Sequence, residues 1–65
     1  MESPETVHEQ YIDIRTAAEF LGCTVGTLRV WTHKKMVPYY KIGRSVRFRI
    51  SDLQDWANER RVETR

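Results

Sequence analysis

Lys41, Arg44, Arg47 and Arg49 fall within nine residues of one another, and Arg29, Lys34 and Lys35 lie shortly before them. Residues 21–50 thus carry seven cations and no carboxylate. On one side, residues 1–20 set five acids against Arg15. On the other, residues 51–65 set four acids against three arginines. The formal net charge of +2 conceals this segregation. Guanidinium and ammonium groups repeated along a short segment neutralise successive charges of a polyanion. A merely solvated surface is the plain alternative, but it gives no reason for acids to be missing from the whole middle of the chain.

Other chemistry finds little footing. Cys23 is the sole cysteine, so no intrachain disulfide forms. With the distant His8 and His33 it makes no zinc-binding spacing. Asp52 and Asp55 are acids at i and i+3 near a helix start, an ordinary complement to the helix dipole. No glycine-rich phosphate loop is present. We therefore expect no enzyme, no metal and no cofactor. No apolar run approaches the roughly 20 residues that span a bilayer, and the N-terminus carries Glu2 and Glu5. The expectation is a soluble cytoplasmic protein (nucleoid-associated if bacterial) with no membrane partner. A chain of 65 residues has room for one small core, burying only about 60% of the surface its unfolded chain exposes.

The elements that position the cations follow from caps and periods. Residues 1–10 are polar and aperiodic, a flexible tail. Tyr11-Ile12 suits a short β-bridge. Asp13 is an N-cap, Ile14, Ala17, Ala18 and Leu21 form one helical face, and Gly22 suits the left-handed residue after the helix. The first helix is expected over 14–21. Thr24 caps a second helix over 25–34, with Leu28 and Trp31 on its apolar face. Pro38 ends helix, and a β-hairpin follows. Tyr40 and Ile42 share a face on its first strand, Gly43-Arg44-Ser45 forms the turn, and Val46, Phe48 and Ile50 alternate with Arg47 and Arg49. Ser51 with Gln54 fits a capping box for a third helix over 52–61, with Leu53 and Trp56 inward. Residues 62–65 are a second tail, leaving one domain over 11–61. The expected fold is small α+β: a two-helix helix-turn-helix, a β-hairpin wing and a C-terminal helix.

On that frame the second helix is the candidate reader of duplex DNA. With Leu28 and Trp31 inward, Val25, Gly26, Arg29, Val30 and His33 lie on exposable flanks. Arg29 suits a bidentate contact to guanine, and Val25 or Val30 a thymine methyl. Thr24 and Thr27 can offer hydroxyls to phosphate, although Thr24 is equally a cap. For His33 a solvated or capping role is the simpler reading. The hairpin cations Lys41, Arg44, Arg47 and Arg49 suit phosphates or a minor groove. The competing reading of Arg47 and Arg49 is protection of an edge strand. Trp31 and Trp56, each three residues after a leucine, read as core in preference to base-stacking platforms.

The sequence contains Tyr11-Ile12-Asp13, Ala17-Ala18, Leu21-Gly22, Thr27-Leu28, Trp31, Val37-Pro38, Lys41-Ile42-Gly43, Arg47-Phe48, Ser51-Asp52-Leu53 and Trp56, in that order. In these residues it resembles the excisionase-type helix-turn-helix family, related in fold to the DNA-binding domains of mercury-resistance-type regulators. The resemblance covers residues 11–57. It implies a winged helix whose second helix enters the major groove. It also implies Val25, Gly26, Arg29 and Val30 on the reading face, and Arg44, Ser45 and Arg47 in the wing. The chain departs from similar domains at Val25 and Gly26, where serine or arginine is common, and at Thr16, where glutamate is. Lys34 joins Lys41 and Arg49 as an expected backbone contact.

The resemblance further implies a recombination directionality factor acting with an integrase, and the limited surface that one small monomer buries on DNA leads us to expect repeated sites and self-association along it. A small transcriptional regulator, or an adaptor for an acidic protein without DNA binding, are the alternatives. If four to six of the seven central cations meet phosphates, the slope of log K against log salt on labelled duplex should be roughly −4 to −5. A slope near zero would remove DNA as the partner.

Overall fold

The computed structural model describes residues 10–62. Among them the elements run α1 (Ile14–Leu21), α2 (Val25–His33), β1 (Tyr40–Ile42), β2 (Ser45–Arg47) and α3 (Ile50–Asn58). The tails expected over 1–10 and 62–65 lie almost wholly outside the described residues. Three helices with a two-stranded antiparallel hairpin make a winged helix-turn-helix, as expected.

Local hydrogen bonding explains the first two helices. The Asp13 carboxylate accepts from the Thr16 N–H at 2.9 Å, and Gly22 leaves α1 at φ +75°. Thr24 Oγ1 accepts from the Thr27 N–H at 3.0 Å and starts α2. Only Gly22 and Cys23 separate α1 from that cap, which forces the sharp turn of the motif. No helix among the described residues is long and apolar enough to cross a membrane.

The hairpin departs from expectation. Its loop has two residues, Gly43 and Arg44, with positive φ at Gly43 only, the pattern of a glycine-first hairpin turn. Ser45 is therefore the first residue of β2, paired with Ile42. This register sets Lys41 opposite Val46, and Tyr40 opposite Arg47. Directly paired residues share a face of the sheet. Tyr40 and Ile42 thus lie on the face of Arg47, and Ile42 is 48% exposed. The core receives Tyr39, Val46 and Phe48 instead.

The third helix also starts elsewhere. Phe48 pairs with Ile12 in an isolated bridge, Arg49 is extended, and α3 begins at Ile50 with Arg49 at its N-cap and no side-chain capping bond. Ser51, expected as the N-cap, lies inside the first turn of α3 instead. Ile50 belongs to two repeats at once, the strand spacing 46/48/50 and the helical spacing 50/53/57. Closure of the bridge at Phe48 resolves the overlap in favour of the helix.

Ala17, Ala18, Leu28, Val37, Phe48 and Leu53 form the buried core. Trp31 and Trp56 are half-buried against it, ring centroids 5.4 Å apart, and the Trp56 indole N–H donates to the Met36 carbonyl at 2.6 Å. They are the edge of the core rather than its centre. Phe48 is wholly buried. Phe48→Ala should cost about 3–5 kcal/mol, comparable to the whole stability of so small a domain. Loss of the cooperative thermal transition, followed by circular dichroism, checks this; a nearly unchanged melting point would contradict it.

Candidate nucleic-acid interface

The exposed side of α2 and the hairpin face one another across an open cleft of about 850 Å³. From α2 and the turn after it come Arg29, Val30, Thr32, His33, Lys34 and Lys35. The hairpin segment supplies Tyr39, Lys41, Arg44, Ser45, Val46 and Arg47, and the start of α1 supplies Asp13 and Ile14. Six cations therefore line one concavity. Asp13 is the acid among the lining residues.

Helical geometry explains the α2 wall. Successive residues turn by about 100°, so burying Leu28 and half-burying Trp31 leaves Arg29 exposed and Val30 50% exposed. The Thr32 hydroxyl donates to the Leu28 carbonyl at 2.8 Å, which occupies it within the helix. On the hairpin, Arg44 stands at the loop tip. Arg47 is half-buried and donates through Nη1 to the Val46 carbonyl at 3.0 Å, fixing its stem against the strand.

The remaining expected residues lie elsewhere. Thr24, Gly26 and Thr27 sit at the N-terminal end of α2, outside the lining of the cleft. There Thr24 donates its hydroxyl to Thr27 Oγ1 at 2.9 Å, so each hydroxyl already has a partner. Val25 packs against the core and lines a separate depression with Arg15, Thr16 and Glu19. Arg49, half-buried, stands over the Tyr11 ring with Cζ 5.9 Å from its centroid, and it hydrogen-bonds Tyr40. It does not line the cleft.

His33, expected as a solvated or capping residue, lines it, and so do Lys35 and Tyr39, which were not expected at the site. Tyr39 was hidden by the strand register, which only the two-residue loop decides. Lys35 was legible as half of a lysine pair, but not as a residue turned into the cleft by the end of α2.

One polar contact and one aromatic contact brace the site from outside. The Tyr40 hydroxyl donates to Asp52 Oδ2 at 2.6 Å, tying β1 to α3. This bond to a carboxylate raises the phenol above its ordinary range. Tyr11 meets Tyr40 edge-on, ring centroids 5.2 Å apart. At the inner rim, Asp13 is held below the usual carboxylate range, chiefly by the Thr16 N–H and then by the Thr16 hydroxyl, with Arg15 and Arg47 adding in the same direction.

Chemically, the arrangement presents spaced cations and one short apolar surface, Val30, to a long anion. Among the described residues no group of His, Cys, Asp and Glu is placed to hold a metal ion. A family model described as a helix-turn-helix domain matches residues 11–61. Comparison with curated proteins and with solved structures gives no significant match.

The lowered Asp13 pKa has a definite sign. A carboxyl depressed in the folded state contributes stability above its unfolded value, near 3.8, and loses it as pH falls through the folded value. Asp13→Asn should therefore flatten the acid limb of melting temperature against pH below about 4 while leaving the neutral-pH fold intact. An acid limb identical to the native one would show that Asp13 is not its source.

Proposed function

The chain belongs to the helix-turn-helix domain family, which is associated with excisionase-type DNA-binding proteins and is typically non-enzymatic, and on that premise we propose that it grips duplex DNA in the cleft between α2 and the hairpin. Sequence-specific DNA binding is the activity of the family. We assign the contact surface to the cleft, and the observation that carries it is the convergence of Arg29, Lys34, Lys41, Arg44 and Arg47 on one concavity. Such convergence concentrates positive charge along one surface, and counterion release makes its contact with phosphates favourable.

Within this reading the two walls differ. Arg29 and Val30 stand on a helix, the element that fits a major groove, and meet base edges there. Lys34, at the C-cap, lies beside the backbone. Arg44, at the loop tip, and Arg47, with its stem on the strand, reach phosphates or a narrow minor groove. Lys41 and Ser45 support the same wall. Thr24 and Thr27 serve the start of α2, where the Thr27 hydroxyl keeps its hydrogen for an outside phosphate oxygen. Gly26 lets a backbone approach closely, and Val25 acts through packing. Arg49 orients the wing through Tyr11 and Tyr40.

The biological reading is an excisionase-like directionality factor, binding repeated sites beside an integrase. One monomer of this size covers little DNA, so affinity would come from neighbouring copies. Integrase-dependent excision of a reporter element, present with the chain and absent without it, tests that role. Repression of a promoter with no effect on excision would assign it to transcriptional regulation.

The division of labour has its own test, on a preferred site selected from a random library. Arg29→Ala should lose about 1–3 kcal/mol on that site and little on random duplex. Arg44→Ala and Arg47→Ala should weaken both duplexes alike and make the salt slope shallower by about one unit each. A wing substitution that altered base preference, with Arg29→Ala weakening both equally, would reverse the roles.

A further inference from the structure

Helices α1 and α2 end in the same way. After α1, the Cys23 N–H bonds the Ala18 carbonyl at 3.0 Å and the Gly22 N–H bonds that of Glu19 at 3.2 Å. After α2, the Met36 N–H bonds the Trp31 carbonyl at 2.8 Å and the Lys35 N–H bonds that of Thr32 at 3.0 Å. This paired closure requires one residue in the left-handed region. At α1 it is Gly22, φ +75°; at α2 it is Lys35, φ +59°. A Cβ in that conformation crowds the backbone, which is why glycine is favoured there.

The turn is held in place from its other side. Trp31 and Met36 line one apolar depression, and Trp56 bonds the Met36 carbonyl. Such surroundings can keep a strained residue strained. Beyond the small favourable effect of a cation at the end of α2, the Lys35 side chain makes no contact among the described residues that would offset the strain. It is exposed, it lines the basic cleft, and no carboxylate among the described residues lies within ion-pair reach.

We propose that Lys35 is a phosphate-binding residue, held in a turn suited to glycine because its ammonium is needed beside α2 on the duplex backbone, at the expense of stability. This rests on the reading of the cleft as the DNA site. It adds a contact that helical periodicity cannot supply, since the chain has already left the helix at Lys35.

The test compares the native chain with Lys35→Gly and Lys35→Arg, by thermal melting without DNA and by titration of labelled duplex at several salt concentrations. Lys35→Gly should melt about 4–8 °C higher, the shift expected when one strained residue is relieved in a domain this small. It should bind about eight-fold more weakly at 0.1 M salt, with a slope shallower by about 0.9. Lys35→Arg, which keeps both charge and strain, should match the native chain in melting and binding. An unchanged salt slope in Lys35→Gly, no gain in its melting temperature, or Lys35→Arg binding as weakly as Lys35→Gly would each overturn the proposal alone. A native chain without duplex affinity would overturn it together with the reading of the cleft.

Discussion

The backbone bridge between Ile12 and Phe48 is the constraint on which the rest of the molecule hangs. Its two hydrogen bonds, 2.8 and 2.9 Å, join the residue just before the Asp13 cap to the residue just after β2. A two-stranded hairpin alone is marginal in water and needs packing against something larger. Here the bridge supplies the attachment, and the wholly buried Phe48 ring anchors it in the core shared by all three helices. The same pairing determines where β2 stops, where α3 begins and how the wing stands beside α2. Tyr11 against Tyr40, and Tyr40 against Asp52, brace that attachment from the outer face.

Helix α2 carries the division between stability and recognition along its length. Leu28 is buried and Trp31 reaches towards Trp56, whereas Arg29 and Val30 between them face the cleft. Neighbours in sequence therefore serve opposite purposes, and the helix cannot rotate to improve one without spoiling the other. Two bulky aromatic rings at the edge of a small core make such rotation costly. A reading surface on a rigid helix is what base recognition needs, because hydrogen bonds to base edges tolerate little misplacement.

Asp13 is the instructive exception within the basic cleft. A carboxylate there weakens the field that attracts an anion, yet it caps α1, accepts from Thr16 and lies within electrostatic reach of Arg47. Its position is dictated by the bridge one residue earlier. The cleft thus contains one group whose purpose is structural, and its charge is partly answered by the wing opposite. Arg49 is the converse case, a cation of the basic run directed into the Tyr11–Tyr40 contact and away from the cleft.

What could be read directly from the residues is what short-range physics controls. Asp13, Thr24 and Gly22 announce the limits of α1 and the start of α2, because capping and left-handed termination involve hydrogen bonds only a few residues long. The segregation of charge likewise needs no coordinates. The strand register, the start of α3 and the membership of the cleft were decided by tertiary structure. Tyr40 and Ile42 alternate as a core face would, but a two-residue loop pairs Ile42 with Ser45 and sends Tyr39 and Val46 inward instead. Ile50 fits both a strand and a helix, and the choice follows from Phe48 meeting Ile12, its distant partner in the chain. Arg49 resembles Arg47 in every local respect, and only the end of β2 between them parts their directions. Local periodicity states which residues can share a face; which face meets the core depends on pairings between segments that the chain must first bring together.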